Sequence, residues 1–477
     1  MRLRLTALSS ALIIAGSLLV TAPAVSAQVA CAAPVPSPTQ PGYTIADPNC
    51  EFGSTTPFVP LTDAAGQPIS EVHTGIANGA AYRIEVPKRN WNRELVVWAH
   101  GFRGNGLTVF VDNPSIRRFY IEQGFAWAAS SYQTNGYDVG HGVTDSHDLI
   151  DLFRTVRGTR ARNVYMSGAS MGGHITAAAI EHFRGDFVAA MPICGVLGDK
   201  ELFDFFLDAN VTAAGLTATP IRFPATLAEG QAYGPEYGQT VLSMLPELGT
   251  GFNTPNVSLS ERGRAWAGAV QQRSGGVRPG FDSAFAFWNS FGRAPLTNVP
   301  FLFGVYPGLS GGTIGIADGN VTDNRHTLYQ VDASPFLSRT ELRLNISALR
   351  VAPTADARRD LTGIPRVAGD PRIPVLSMHT IGDLFVPLSM EQIYAKEALL
   401  RGQSRLFVSR AIRGNQHCGF NAAEVQRGFS DLVRWVRTGH HPAGDDILNP
   451  RAVARPDFGC RFTDGPHPEF VGQPCTP

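Results

Sequence analysis

The chain has 477 residues, enough for one large hydrophobic core that carries a substantial insertion. Its 40 Lys and Arg side chains balance 40 Asp and Glu side chains, so the formal net charge is zero. This balance excludes the strongly basic surface that binds a polyanion, and we expect no nucleic-acid partner.

Residues 1–27 have the pattern of a signal peptide. Arg2 and Arg4 precede an apolar run, and small residues then lead to a cleavage site after Ala27. A membrane anchor is the weaker interpretation, because the apolar run is short and interrupted by Ser and Gly. A lipoprotein anchored through Cys31 is also weaker, since Gln28 stands where a large aliphatic residue is expected. We therefore predict a secreted or periplasmic protein with no membrane span.

The cysteines are even in number, which fits an oxidising compartment: Cys31, Cys50, Cys194, Cys418, Cys460 and Cys475. Six cysteines allow three disulfides in fifteen possible arrangements. Their spacing with each other and with histidine is not typical of zinc ligands, so we expect no metal site.

Residues 28–80 are interpreted as an irregular N-terminal segment, since Pro and Gly interrupt it. Strand and helix patterns then alternate over residues 81–195. Strands are predicted at 81–86, 94–99, 125–130, 164–166 and 187–193, and helices at 115–123, 145–156 and 172–183. Such alternation predicts an α/β fold with a mostly parallel central sheet and helices on both faces.

The alternation stops at about residue 195 and resumes at 373. Residues 196–372 are too long for a loop and rich in aromatic side chains, so we predict an inserted cap. Residues 373–440 complete the sheet with two further strands and two helices. The tail, 441–477, is rich in Pro and Gly, and a disulfide is expected to pin it.

The pattern G-x-S-x-G, typical of a serine nucleophile, occurs twice. Ser170 follows a predicted strand and precedes a good helix former, which is the strand–turn–helix context that exposes a serine above the sheet. Ser310 follows Pro307 and leads into a segment that cannot start a stable helix. We therefore predict Ser170 as the nucleophile and interpret Ser310 as a loop residue.

A serine nucleophile needs a base, and the base needs an acid that orients it. His417 lies between the last predicted strand and the last helix, from which a base can reach back over the sheet. Asp383 follows the preceding strand, 34 residues earlier, and is the predicted acid. Asp199 is a rival acid, and a helix-capping role for Asp383 also stays open.

Backbone N–H groups must stabilise the negative charge that develops on the attacked carbonyl oxygen. We assign these donors to Met171, after the nucleophile, and to Phe102, in the loop after the strand at 94–99. Gly101 is an alternative to Phe102. His100 is interpreted as the residue that orders this loop.

Together, His100-Gly101 after one strand, the elbow at Ser170, then Asp383 and His417 in that order, resemble the α/β-hydrolase superfamily. The resemblance covers about residues 81–195 and 373–439. It implies acyl transfer through a covalent acyl-serine, with no metal or organic cofactor.

Comparison with tannase and feruloyl-esterase relatives suggests the disulfides. Those proteins bridge cysteines beside the nucleophile and the base, but here Ala169 precedes Ser170. Cys194, expected on the same rim as His417, offers a replacement, so we predict Cys194–Cys418. The remaining pairs would then be Cys31–Cys50 and Cys460–Cys475.

Two polar clusters resemble ligand sets. The first contains Asp138, His141, Asp145, His147 and Asp148; we interpret it as a helix start near Asp145. The second, residues 318–324, resembles part of a calcium loop but lacks the closing glutamate.

These observations predict a secreted hydrolase of carboxylic esters, acting on a small-molecule or polymer substrate. The large aromatic-rich cap favours a bulky or apolar substrate. An amidase or peptidase with the same three residues is the nearest alternative. A non-catalytic binding protein on a hydrolase scaffold is the alternative from another class.

Overall fold

The computed structural model describes residues 31–51, 56–251, 258–293, 296–356, 358 and 360–475. The predicted signal peptide and its cleavage site lie outside these residues. Within them, no helix combines the length and the apolar character that crossing a membrane requires.

The β-strands of the described residues form two sheets. In chain order they are β1 (Val35–Pro36), β2 (Thr44–Ile45), β3 (Ser70–Ala77), β4 (Ala80–Pro87), β5 (Glu94–Ala99), β6 (Thr108–Val109), β7 (Ala126–Ser130), β8 (Asn163–Ala169), β9 (Ala189–Ile193), β10 (Val375–Thr380) and β11 (Phe407–Ile412). The small sheet has the order β1-β2-β6, and the large one has the order β11-β10-β9-β8-β5-β7-β4-β3.

The large sheet is mostly parallel. From β7 to β11 every neighbouring pair is parallel, and β4 alone runs against its neighbours β3 and β7. Successive side chains of β5 enter opposite cores: Leu95 and Val97 lie in one, Val96 and Trp98 in the other. Burial on both faces explains why this strand reads as a continuous apolar run.

One predicted boundary is wrong. The segment 28–80 was expected to be irregular, but β3 pairs with β4 along eight residues and forms the edge of the large sheet. A two-residue turn joins the strands, with Asn78 and Gly79 both at positive φ (48° and 83°). Asn-Gly is a strong signal for this type of hairpin, and it marks the strand in the sequence.

The helices cover both faces of the large sheet and fill the segment between β9 and β10. They are α1 (Arg117–Glu122), α2 (Val139–Arg157), α3 (Met171–His182), α4 (Glu201–Thr217), α5 (Leu227–Leu248), α6 (Glu261–Arg273), α7 (Phe281–Asn289), α8 (Phe301–Gly304), α9 (Arg339–Ser347), α10 (Ser389–Leu400), α11 (Ala422–Thr438) and α12 (Pro450–Val453). Helices α1 and α11 pack on one face, and α2, α3 and α10 pack on the other.

The segment between β9 and β10 is helical and shares a core with the sheet. Its helices are α4 to α9, joined by irregular chain and a short 3-10 helix, Pro307–Ser310. Most of its aromatic side chains are core residues; Trp266 and Tyr237, for example, are fully buried. We call this segment, residues 196–372, the insertion.

Candidate active site

Ser170 lies at a sharp turn between β8 and α3. Its backbone has φ 60° and ψ −122°, a conformation that a non-glycine residue adopts only when its surroundings impose it. The neighbouring glycines permit this turn, because a Cβ atom on Gly172 would collide with the carbonyl group of Ala99. The turn therefore presents the Ser170 hydroxyl above the carboxyl end of the sheet.

The structure brings Ser170, His417 and Asp383 together in one hydrogen-bonded row. His417 Nε2 is 2.7 Å from Ser170 Oγ, and His417 Nδ1 is 2.5 Å from Asp383 Oδ2. A carboxylate accepts, so Nδ1 carries the proton and Nε2 is free to accept from the serine hydroxyl. This tautomer is the one a general base needs.

Asp383 is completely buried, and the backbone holds its second oxygen. Oδ1 accepts hydrogen bonds from the N–H groups of Phe385 (2.8 Å) and Val386 (3.0 Å). With one oxygen bound to the backbone and the other to His417, the carboxylate has a single orientation.

The loop that carries His417 is fastened at both ends. Thr380 Oγ1 donates to the carbonyl of Gln416 (2.9 Å), which ties the loop to the end of β10. After His417, a disulfide joins Cys418 to Cys194. The structure also contains the disulfides Cys31–Cys50 and Cys460–Cys475.

The insertion also contacts the loops that carry Asp383 and His417. On α7, the Trp288 indole N–H lies 3.0 Å from two carbonyl oxygens, those of Gly382 and Asn415. Before α7, Arg278 Nε donates to the carbonyl of Ile381 (2.6 Å). Each contact joins residues more than 90 positions apart in the chain, so the sequence pattern did not reveal them.

The loop after β5 packs directly against Ser170. A Cβ atom on Gly101 would lie 3.1 Å from the Cβ atom of Ser170. In the described residues, the backbone N–H groups of Phe102 and Met171 donate to no other group. Both donors are therefore free, beside the serine, to bind a substrate oxygen.

His100 orders this loop. Its Nδ1 is 2.7 Å from the carbonyl of Gly101, its Nε2 is 3.2 Å from that of Ser131, and its ring stacks on Tyr132. Burial lowers the pKa of His100 to about 4, so the ring is neutral.

Asp199, the alternative acid, forms its hydrogen bonds with backbone groups and not with His417. The Asp199 carboxylate accepts from the backbone N–H groups of Val367 (3.0 Å) and Lys200 (2.5 Å).

His174, one turn after Ser170, has a hydrogen-bond partner at each ring nitrogen: Nε2 donates to the carbonyl of Pro365 (2.7 Å), and Nδ1 accepts from Tyr137 (3.0 Å).

A cavity of about 500 Å³ opens above Ser170. Aromatic and aliphatic side chains form most of its wall, including Phe102 and Phe385 from the loops after β5 and β10, and Phe203, Phe206 and Tyr306 from the insertion. Ser310, in the second G-x-S-x-G pattern, also lines it, with its hydroxyl donating to the carbonyl of Pro307 (2.9 Å).

Arg293 is the one charged side chain among the described residues that line the cavity. Arg293 was not predicted from the sequence, because its position depends on how the insertion packs over the sheet. No motif or spacing marks it.

The predicted start of the second helix is wrong. Helix α2 begins at Val139, and Asp138 caps it by accepting from the N–H (3.1 Å) and ring Nδ1 (2.6 Å) of His141. Asp145 lies inside the helix, where it accepts from the backbone and side chain of Gln133. These carboxylates are used in local hydrogen bonds.

The calcium-loop-like segment is likewise internally bonded. Asn320 Nδ2 donates to the carbonyls of Thr322 (3.0 Å) and Ala352 (2.9 Å). Asp323 forms an ion pair with Arg325, at 2.7 Å.

The strand order, the single antiparallel strand β4 and the elbow at Ser170 define an α/β-hydrolase fold. The hydrogen-bonded Ser170, His417 and Asp383 lie at the carboxyl end of this sheet.

Comparisons with known proteins are distant. No family model matches the chain. It is 23% identical over 426 residues to an o-phthalyl amidase of Xanthobacter agilis, an alignment that covers 80% of this chain and 90% of that protein. Among solved structures, feruloyl esterase B of Aspergillus oryzae has 13% identity and a TM-score of 0.39, over 80% of this chain and 86% of that one. The rice cell wall degrading esterase LipA of Xanthomonas oryzae has 15% identity and a TM-score of 0.34, over 77% and 89%.

Proposed function

We propose that this protein is a secreted serine hydrolase that cleaves a carboxylic ester through an acyl-Ser170 intermediate. One observation carries the proposal: Ser170 Oγ is 2.7 Å from His417 Nε2, while Nδ1 of the same ring is 2.5 Å from the buried Asp383. A serine hydroxyl becomes a useful nucleophile only when a base so placed removes its proton.

In the proposed reaction, His417 takes the proton from Ser170 Oγ as the oxygen attacks the substrate carbonyl. Asp383 stabilises the imidazolium that forms. The N–H groups of Phe102 and Met171 bind the oxyanion of the tetrahedral intermediate. His417 then protonates the leaving alcohol, and in the second half it activates the water that hydrolyses the acyl-serine.

Amide cleavage is a second candidate, favoured by the relative that is named an o-phthalyl amidase. The same residues would then protonate an amine leaving group. A peptide with a free amino terminus fits the cavity poorly, since no Asp or Glu is among the described residues that line it. The amide candidate is therefore a compact acyl amide rather than a peptide.

Two features support export and the role of the insertion. Three disulfides favour an oxidising compartment, in agreement with the signal-peptide pattern of the sequence.

We propose that the insertion acts as a cap, because its aromatic side chains form much of the wall above Ser170. Such a wall favours an aryl or other bulky apolar group.

The test is labelling of the intact protein with a fluorophosphonate, which reacts with activated serines. The wild-type protein should be labelled and S170A should not. S310A is the matched control, because Ser310 lies in the other G-x-S-x-G pattern and lines the same cavity. Labelling that persists in S170A, or that disappears in S310A alone, would contradict the assignment. Absence of labelling in the folded wild-type protein would favour a binding role.

A second measurement separates the two candidate reactions. An aryl ester and the matching anilide, with the same acyl group, are compared by kcat/KM. Because esters are intrinsically more reactive than amides, turnover of the anilide decides: efficient ester hydrolysis without detectable anilide hydrolysis supports the proposal, and anilide hydrolysis comparable to that of the ester supports the amidase alternative.

A further inference from the structure

Arg293 lies in the cavity wall, beside the two loops that flank Ser170. Its guanidinium carbon is 4.4 Å from the ring centre of Phe385 and 5.4 Å from that of Phe102. Phe385 follows Asp383, and its ring centre is 5.0 Å from that of His417. Phe102 belongs to the proposed oxyanion loop. A group bound to Arg293 would therefore lie close to the reacting atoms.

This guanidinium has no acidic partner among the described residues. By contrast, the half-buried Arg273 of the insertion pairs with Asp208 at 2.6 Å, and the exposed Arg222 pairs with Glu236 at 2.5 Å. Arg293 forms no ion pair or hydrogen bond with any described side chain, and its guanidinium lies near the rings of Phe102, Phe301 and Phe385. Burial alone, with no neighbouring carboxylate, lowers the pKa of Arg293.

A guanidinium inside an apolar cavity is unfavourable unless something compensates its charge. Contact with aromatic rings compensates part of it, but the five N–H donors of the group remain unused. A planar carboxylate matches those donors with two parallel hydrogen bonds. Aromatic rings lie beside the guanidinium and most of the cavity wall is aromatic or aliphatic, so the body of the ligand is expected to be apolar.

We propose that Arg293 binds a carboxylate of the substrate, so that the preferred substrate is an aromatic or similarly apolar ester or amide that carries a free carboxylate. This inference rests on the proposed function, because it places the carboxylate on the molecule that Ser170 attacks. The carboxylate belongs either to the acyl group, as in a half-ester of a dicarboxylic acid, or to the leaving group.

The experiment uses three esters with one skeleton. Phenyl benzoate is neutral, the second ester has a carboxylate on the benzoyl ring, and the third has it on the phenoxy ring. For the wild-type protein, one carboxylated ester should exceed phenyl benzoate in kcat/KM by ~10- to 100-fold, the range of a charged hydrogen bond. The favoured ester identifies the side of the substrate that carries the carboxylate.

For the variants, the measured quantity is the ratio of kcat/KM for the favoured carboxylated ester to kcat/KM for phenyl benzoate. In R293Q the ratio should fall to about 1, and in R293K it should be intermediate, since lysine keeps the charge but not the two parallel donors. R222Q is the matched control: Arg222 also stacks on a ring, at 4.4 Å from that of Tyr233, but it already has an acidic partner. Its ratio should equal that of the wild type.

A wild-type ratio near 1 for both carboxylated esters would overturn the inference and leave the proposed function intact. A ratio that R222Q lowers as much as R293Q would also overturn it. Hydrolysis of none of the three esters, together with an unlabelled Ser170, would overturn the proposed function and the inference with it.

A measurement on the wild-type protein alone keeps the inference testable if R293Q does not fold. Benzoate and benzamide have nearly the same shape, but only benzoate has a negative charge. Benzoate should slow fluorophosphonate labelling of Ser170 at concentrations where benzamide has no effect, and more strongly at low salt. Equal protection by the two compounds would overturn the inference.

Discussion

The disulfide between Cys418 and Cys194 joins the residue that follows His417 to the residue that follows β9, with the two Cα atoms 5.3 Å apart. Cys194 is also fixed to the sheet, because its N–H donates to the carbonyl of Met378 in β10 (2.7 Å). The proposed base is therefore covalently attached to the centre of the sheet that carries Ser170. This bond closes a loop of 224 residues.

Removing this bond should reduce both stability and turnover. The chain-entropy relation gives about 5 kcal/mol for a loop of this length, and about 3 kcal/mol for the Cys31–Cys50 loop, which separates its cysteines by 19 residues. We expect C194S/C418S to lower kcat by ~10-fold, since a misplaced base costs rate. C31S/C50S is the control and should lower stability without this loss of kcat. Denaturant unfolding and ester hydrolysis measure both effects, and equal kcat values in the two variants would contradict the positioning role.

The acid assignment predicts a large difference between two buried aspartates. D383N should reduce kcat by ~10³- to 10⁴-fold, because an amide cannot hold His417 in the required tautomer or stabilise its charge. D199N replaces the rival acid, whose oxygens bind backbone N–H groups away from His417. Its kcat should stay within ~3-fold of the wild type after correction for the folded fraction. Similar losses of kcat in both variants would refute the assignment.

Three residues that the structure brings together, Ser170, His417 and Asp383, were predicted from local patterns in the sequence. Ser170 is recognisable because a strand, two glycines and a helix former surround it within about ten residues. His417 and Asp383 follow from their positions after the last two strands. Each assignment needs only the order of elements along the chain.

The features that were not predicted either depend on tertiary packing or have a local sequence signal that a stronger neighbouring pattern obscured. Strand β3 was missed although Asn78-Gly79 marks its hairpin, because the Pro- and Gly-rich chain before it suggested irregular structure. The start of α2 was predicted near Asp145, but Asp138 caps the helix and α2 begins at Val139. Arg293 and Trp288 reach the site only through the tertiary fold of the insertion. The periodicity of the sequence does not predict how this segment packs over the sheet.

His379 contacts the loop that carries Asp383, the proposed acid. His379 Nε2 donates to the carbonyl of Val386 (2.7 Å), and its Nδ1 lies 3.2 Å from Glu391 Oε1. An acceptor lies on each side of the ring, and the acceptor at Nδ1 is a carboxylate, which favours the positive charge of an imidazolium. Burial opposes this charge, but the hydrogen bond and the charge of Glu391 outweigh burial and raise the pKa of His379. Val386 in turn donates to Asp383, so the pair acts on the proposed acid.

The raised pKa predicts the sign of a pH effect on stability. Protonated His379 stabilises the folded protein, and this contribution is complete below the unfolded-state pKa of 6.5. It is lost as the pH rises through the higher folded-state pKa. The difference in Tm between the wild type and E391Q should therefore be largest near pH 5 and become smaller above neutral pH. E397Q is the control, because Glu397 lies on the same helix and pairs with Arg401 at the surface. A difference that is constant with pH would contradict the charged pair.

The elbow predicts that one methyl group is enough to disturb the site. A Cβ atom on Gly172 would collide with backbone atoms of Ala99 and His100, which cannot move aside as a side-chain end can. We expect G172A to lower stability by about 1–3 kcal/mol, the usual cost of overpacking, and to reduce fluorophosphonate labelling of Ser170 by at least ~10-fold. Gly106 is the matched control, since a Cβ atom there meets no atom within 4 Å. G106A should unfold and react like the wild type, and normal labelling of Ser170 in G172A would mean that the turn tolerates a side chain at this position.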